Sequence, residues 1–414
     1  MVRYHAAWVL PLVEPPIRDG WIVTDRGRIV AYGAYGAVTR RAAAHAESAE
    51  VDLGNVAVLP GLVNAHTHLE LSYLRDEVPP ASEFVAWIRN VMAARRQQPH
   101  ASAPVILEAM DRAIAESVAF GTAVVGDISN TLVSFQSLLR SPLAAVMFFE
   151  MLGFNIADAP AFVAHACREL DALGGTNRVR TSLAAHAPYS VAPLVFRAIR
   201  HAIDRDPFVP CSVHLSESAE EVEFIQTGGG PWRQLLEEIG VWNDAWRPPG
   251  VSPVQFLEES GFLNSRVLAV HGVQMTPEDL AKLAACGATL VTCPRSNGHT
   301  GAGAPPIEDF YASGVRVAIG TDSLASAPDL SVFAELATLR ALAPTVPASK
   351  LLASATIEGA RGLGFDADYG TIEPGKSARV LAVTLPEQSG DVEEYLVSGV
   401  QPDQIRWVED RDAD

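Results

Sequence analysis

The chain has 414 residues, 48% of them hydrophobic and 19% charged, and a formal charge of −18. That composition supplies a core and excludes wholesale disorder, and the negative charge argues against a nucleic-acid partner or an anionic membrane surface, both of which need a basic face. The four cysteines, Cys167, Cys211, Cys286 and Cys293, form no Cys-x-x-Cys pair, so neither a disulfide framework nor a thiolate zinc knuckle is expected, and a reducing cytoplasm fits.

Residues 6–13 are a short apolar run behind a single basic residue, leading into Glu14-Pro15-Pro16; they read as a strand rather than a leader. "GWIVTDRGRIVAYG" then reads as two strands around a turn at Asp25-Arg26-Gly27. From residue 56, apolar runs at 56–68, 122–129, 143–151, 179–186, 209–214, 267–271, 288–293 and 315–322 alternate with helical segments. Ser102 and Pro104 open one such helix and Gly121 closes it; Thr276 and Pro277 open another and Gly287 closes it. Eight strands separated by helices predict an α/β fold, a (β/α)₈ TIM barrel over 56–365, with its chemistry at the carboxyl ends of the strands. "YGTIEPGKSARVLAVTL" is again β-rich, so residues 1–55 and 366–414 are expected to pair into a small β-sandwich built from both chain ends. No apolar stretch approaches the roughly 20 residues of a membrane span; even "SPLAAVMFFEMLGF" carries Glu150. A soluble protein is expected.

Five of the eight runs close on His68, His186, His214, His271 or Asp322. In "PGLVNAHTHLELS" two imidazoles stand two residues apart, which on a strand places His66 and His68 on one face. In "PCSVHL" and "VRVAIGTD" the same alternation separates an apolar face from His214 and from Asp322. Together, His66, His68, His214 and Asp322 form a three-nitrogen, one-oxygen set that Zn²⁺ accepts with a position left for water.

The order of "GRIVAYG", "LPGLVNAHTHLE", "HAPYSVAP", "HLSESAEE", "HGVQM", "CPRSNGHTGAG", "GTDSLAS" and "GTIEPGKSA" resembles the amidohydrolase superfamily, specifically its deaminase and chlorohydrolase branch, along nearly the whole chain. The resemblance implies one divalent metal on His66, His68, His214 and Asp322, most readily Zn²⁺, with Fe²⁺ and Mn²⁺ as alternatives. It implies that Glu217 shuttles protons, that Asp322 accepts the proton of the attacking water, and that His271 and His186 line the substrate. Binuclear relatives often bridge their ions with a carboxylated Lys at the end of the fourth strand. Here Lys282, Lys350 and Lys376 all lie beyond the fifth, so one ion per chain is expected. Bland readings stay open for three residues: a solvated charge in "SESAEEVE" for Glu217, a core histidine for His271 and a capping role for His186. His5, His45, His100, His165, His201 and His299 are given no role.

A hydroxide made available on such an ion near pH 7 attacks an electrophilic sp² carbon. The function expected is hydrolytic deamination of an aminopurine nucleoside derivative, with ammonia released. "HTHLELS" most resembles the enzymes that deaminate 6-aminodeoxyfutalosine in menaquinone biosynthesis. Dechlorination or amide-bond hydrolysis at the same centre is the alternative enzyme reading, and a non-catalytic metal- or ligand-binding barrel the non-enzyme one. "EFVAWIRNV" resembles the loop that carries a ribose-binding Glu in adenosine and S-adenosylhomocysteine deaminases, but Val85 stands at that position. A carboxylated substrate approaching a chain of this charge needs a local cation. Arg75, Arg89 and Arg295, on segments that follow strand ends, are the candidates, with Ser296 and Asn297 facing the same ligand. The partner expected is a small molecule; the sequence leaves a homo-oligomer open.

Overall fold

In a computed structural model, which describes residues 1–35, 49–206, 209–387 and 390–408, eight strands follow one another as parallel neighbours. They are Leu62–Thr67, Thr122–Ser129, Ala144–Met151, Val179–Ala185, Cys211–Leu215, Val267–His271, Thr289–Thr292 and Arg316–Ile319. Beyond the eighth strand the amides of Thr321 and Asp322 both donate to the carbonyl of His66 at 3.1 Å, and Asn64 Nδ2 donates to Thr321 Oγ1 at 2.7 Å. These bonds draw the last strand to the first and close the barrel. Two apolar populations follow the strand alternation. Cys211, Val213, Leu215, Val317 and Ile319 pack in the large cluster shared with the outer helices. Ala184, Leu268, Val270, Val291 and Ala318 form a separate inner cluster, the filled lumen of a barrel.

The helices obey local chemistry. Thr276 caps Pro277–Cys286 through a full capping box with Asp279, and Gly287 ends it in the left-handed region at φ 75°. Pro104–Ala119 departs from expectation at its start. Ala103, not Ser102, holds the cap position and makes no side-chain bond, because Pro104 already presets φ and has no N–H to satisfy.

The run 56–68 is two strands rather than one. Val56–Pro60 pairs antiparallel with Val380–Thr384 in a second, mixed sheet, and only Leu62–Thr67 enters the barrel. Both halves are fully buried, so their apolar composition carries no sign of which sheet takes which half. The break falls at Gly61, where a Cβ would lie 2.6 Å from that of Ala123. The second sheet unites both chain ends: Val2–Val9, Ile17–Asp25, Arg28–Ala34 and Ala49–Asp52 join Val56–Pro60, Val380–Thr384 and Ile405–Trp407. It curls around its own core of Val9, Ile22, Ile29, Val58 and Val380, with Arg28 bridging to Ser377. Residues 36–48 and 409–414 of the expected end domain, His45 among them, lie outside the described residues. Among those described, no helix is long and apolar enough to cross a membrane.

Gly320 sits against the closure. A Cβ there would lie 2.8 Å from both the Cβ and the carbonyl oxygen of His66 and 2.9 Å from Cys293 Sγ. Gly320→Ala should therefore force the eighth strand off the first and destabilise the fold by about 1–3 kcal/mol, the usual range for overpacking. Urea denaturation checks this, and unchanged stability would mean that the barrel closes elsewhere.

Candidate active site

The first strand ends at Thr67, and its register against the second shifts twice, so simple alternation does not by itself aim His66 and His68 together. They converge nonetheless, with ring centroids 4.9 Å apart and planes at 83°. His68 has left the strand and leads into the short turn Leu69–Leu74. His66 lies 5.0 Å from His214 and 5.7 Å from His271, centroid to centroid. Asp322 Oδ1 is 3.8 Å from His66 Nε2 and 3.5 Å from His68 Nε2.

Asp322 and His271 both hold positive φ, 59° and 79°, a conformation that costs a non-glycine residue about 1–3 kcal/mol and that clusters at functional sites. Ser296 Oγ donates to Asp322 Oδ2 at 2.5 Å, and the Ser323 amide donates to Oδ1 at 2.8 Å. These bonds fix the carboxylate beside the imidazoles.

The arrangement fits a divalent ion. Both ring nitrogens of His66 are buried without a hydrogen-bond partner among the described residues, and a bond to a metal would engage one of them. His214 Nδ1 lies 2.8 Å from the carbonyl of His186; it must donate there, which leaves Nε2 with a lone pair. Candidate ligand atoms of His66, His68 and Asp322 lie within 4.8 Å of one another, as do those of His66, His214 and His271. Burial depresses His66 well below the usual imidazole range, with His68, His214 and His271 adding to the effect. It also lowers His68, takes His271 to about 3 and His186 to about 4. Neutral imidazole is the ligating form.

The acidic run after His214 divides into three tasks. Glu217 is 4% exposed, with Oε1 3.5 Å from His271 Nε2. Glu221 accepts the amides of Ser216 and Glu217, both at 2.9 Å, holding the loop that presents Glu217. Glu220 accepts the amide of Phe84 at 3.1 Å at the start of the helix Phe84–Arg95. Burial pushes Glu217 well above the usual carboxylate range, reinforced by Asp322, Glu221 and Glu220. Burial works in the same direction on Asp322, yet His68, His271 and Ser296 hold it below that range. Asn297 Nδ2 lies 3.0 Å from His271 Nδ1 and fixes the other side of that ring.

His68, His214, Glu217, His271 and Asp322 line a cavity of about 250 Å³. The helix Phe84–Arg95 supplies Phe84, Trp87, Ile88, Val91 and Met92 to its wall, and Trp232, Leu235 and Leu236 face them from Gly230–Glu238. Tyr189 stacks on Trp232 with centroids 3.6 Å apart. His186 lines the cavity, its Nδ1 2.6 Å from Ser190 Oγ. None of the three expected arginines lines it. Arg75 pairs with Glu116 at 2.6 Å, Arg89 with Glu238 at 3.0 Å across the outside of the two wall helices, and Arg295 with Glu335 and Asp329 at 2.6 and 2.9 Å. Each spends its fork on a neighbouring carboxylate, a preference that strand-end position could not reveal. Ser296 and Asn297 serve Asp322 and His271 instead.

The cation that does line the cavity is Arg95, three turns into the helix Phe84–Arg95 and missed from the sequence. It donates to Asn130 Oδ1 at 3.0 Å and, more loosely, to Glu70 Oε1 at 3.5 Å, and it also borders a neighbouring cavity of about 340 Å³ lined by Tyr73, Arg96 and Thr131. Glu70 steadies this wall. Its carboxylate accepts from Ser129 Oγ at 2.8 Å and from the amides of Asn130 and Thr131 at 3.0 and 3.1 Å. Glu150 also lines the cavity, and the one sequence signal for it was a carboxylate within an apolar run.

Comparison with known proteins follows the same lines. Residues 57–403 match the amidohydrolase family. The chain is 33% identical over 354 residues to the aminodeoxyfutalosine deaminase of Deinococcus radiodurans, covering 82% of this chain and 80% of that one. It is 29% identical over 418 residues to a 5-methylthioadenosine/S-adenosylhomocysteine deaminase of Moorella thermoacetica, covering 97% and 90%. The crystal structure of an adenosine deaminase from Xanthomonas campestris with bound zinc superposes with a TM-score of 0.81 at 26% identity, covering 98% of this chain and 90% of that one. With the fold, the strand-end cluster and a match across most of its length in agreement, the chain belongs to the amidohydrolase family.

Proposed function

We propose that the chain is a metal-dependent hydrolytic deaminase of an aminopurine nucleoside derivative, with 6-aminodeoxyfutalosine as the preferred substrate and menaquinone biosynthesis as the setting. The observation that carries this reading is the meeting of Glu217 with His271 at 3.5 Å beside His66, His68 and Asp322, under a wall of aromatic and aliphatic side chains. His66, His68, His214 and Asp322 would hold one divalent ion, Zn²⁺ most readily. When bound, that ion supplies a Lewis acid that makes hydroxide available near neutral pH. Four unpaired cysteines fit a cytoplasmic setting.

The opposed environments of the two carboxyl groups assign their protons. Glu217, raised by burial, enters protonated, and Asp322 enters ionised. Water adds across the ring C=N bond. Its oxygen bonds to carbon, one of its protons passes to Asp322, and Glu217 gives its own to the ring nitrogen. The amino group then leaves as ammonia, carrying the proton from Asp322, while the hydroxyl proton returns to Glu217 and a carbonyl remains. His271, fixed by Asn297, donates toward the oxygen as charge develops. Trp87, Tyr189 and Trp232 cover the heterocycle and keep bulk water out.

Glu217→Gln should lower kcat by about 10²–10⁴-fold, the usual value of such proton transfer, while metal content by mass spectrometry stays unchanged. Retention of most activity would place the proton transfer elsewhere.

A chelator should remove one ion per chain and stop ammonia release, and added Zn²⁺ should restore it. Asp322→Asn should impair both retention and turnover. Two tightly bound ions, or release of chloride from chlorinated heterocycles in preference to ammonia, would contradict the reading.

Arg95 is the cation best situated for the substrate carboxylate. A charge-assisted bond of about 1.5–3 kcal/mol corresponds to roughly 10–100-fold in kcat/KM. Arg95→Met should erase that much of the preference for the carboxylated nucleoside over adenosine. Equal turnover of the two by the unmodified enzyme would sink the substrate assignment and leave the deaminase chemistry standing.

A further inference from the structure

Arg295 does not line the cavity, and the steps above give it no task. Its side chain is only 14% exposed, and its fork is filled. Nε donates to Glu335 Oε1 at 2.6 Å, Nη1 to Asp329 Oδ1 at 2.9 Å, and Nη2 to the carbonyls of Asp329 and Ser331 at 3.0 and 3.3 Å. The Arg295 amide adds a bond to Glu335 Oε2 at 3.3 Å, and the Glu335 side chain is wholly buried. Apolar groups can often replace a buried ion pair without loss of stability, so stability alone does not account for this one. What a planar guanidinium with its donors engaged supplies is direction, because it fixes the segment that carries it.

That segment needs an outside hold. Pro294–Thr300 is a helix of only seven residues, and Cys293 at its N-cap makes no side-chain bond, so it is marginal by itself. His299 anchors its far end, donating from Nε2 to the carbonyl of Val78 at 3.0 Å; Arg295 anchors its first turn. The same turn carries Ser296, whose Oγ donates to Asp322 Oδ2 at 2.5 Å, and Asn297, whose Nδ2 lies 3.0 Å from His271 Nδ1. Asp329 and Ser331, the other side of the clamp, close the loop that follows Asp322. From that loop Ser326 Oγ donates to Asp322 Oδ2 at 3.2 Å and lies 2.9 Å from Ser296 Oγ. Arg295 thus ties together the two segments that grip the Asp322 carboxylate.

We propose that Arg295 is a positioning residue. Through Glu335, Asp329 and Ser331 it clamps the helix Pro294–Thr300 to the loop after Asp322, and so sets the Ser296 hydroxyl on Asp322 and the Asn297 amide on His271. It acts through those two side chains and touches neither the substrate cavity nor the histidine cluster. For turnover the proposal rests on the deaminase reading, whereas for metal binding it rests on the ligand set alone, so the two can fail separately.

The experiment measures zinc affinity, by competition with a chromophoric chelator, together with kcat and KM for ammonia release, in Arg295→Lys, Ser296→Ala and the two combined. Lys keeps the charge opposite Glu335 but cannot span Glu335, Asp329 and Ser331 at once. Arg295→Lys should weaken zinc binding, and lower kcat at saturating zinc with KM unchanged, each by about 10–100-fold, the usual cost of losing an outer partner of a metal ligand. In the combined variant the zinc loss should stay within about twofold of the larger single loss, because Ser296→Ala removes the group through which Arg295 acts. Where Arg295→Lys does not fold, the pair replacement Arg295→Met with Glu335→Leu, which leaves no buried charge alone, takes its place and is read by the same outcomes. Unchanged zinc affinity overturns the inference, as do losses that add in full to that of Ser296→Ala, which would make Arg295 a general support of the fold. The expected zinc pattern without ammonia release from any aminopurine nucleoside would sink the deaminase reading and leave Arg295 as assigned. Failure of the unmodified chain to bind zinc overturns both.

Discussion

The carbonyl of His66 receives two amides, those of Thr321 and Asp322, and the rest of the site hangs from that junction. One acceptor takes both bonds, so His66 near the end of the first strand and Asp322 just beyond the last become neighbours. The junction demands a glycine at 320, whose missing Cβ lets the strands approach, and a positive φ at Asp322, which turns its carboxylate inward. Thr67 Oγ1 adds a third tie, to the carbonyl of Asp322 at 2.9 Å. Local strain is thus tolerated because closure over-determines it.

Burial does the second part of the work. It depresses His66, raises Glu217, and would raise Asp322 too were it not for the groups around that carboxylate. Two carboxyl groups in one buried cavity are therefore shifted in opposite directions, as happens where one fold runs acid and base chemistry together. The apolar wall is supplied by two helices whose contact is aromatic and aliphatic. The Arg89–Glu238 pair across their outer edge is exposed, and pairs of that kind contribute about 0–1 kcal/mol. Packing around Phe84, Tyr189 and Trp232, rather than the ion pair, holds the wall.

A row of polar groups runs along one side of the cavity. Glu70, itself saturated by Ser129, Asn130 and Thr131, anchors a row that continues through Arg95 and Asn130 to Glu150. That row meets the histidine cluster at its far end, where Glu150 Oε1 lies 3.5 Å from His214 Nδ1.

What the sequence determined by itself was whatever depends on period and on neighbours along the chain: eight strands with helices between them, two β-rich ends, and histidines or an aspartate at strand ends. Those features follow from backbone geometry, which repeats every two or 3.6 residues. Tertiary structure decided matters with no local signature. It split 56–68 between two sheets at Gly61, because both halves are equally apolar. It brought His66 and His68 together through a register shift and a turn rather than through alternation. It drew Arg75, Arg89 and Arg295 into ion pairs away from the cavity and set Arg95, paired with Glu70, in the cavity wall, since an arginine's partner is set by whichever carboxylate folding delivers to it. And it set Glu150, which in the sequence only interrupts a hydrophobic run, in the cavity beside His214, because only the closed barrel determines which way that part of the strand points.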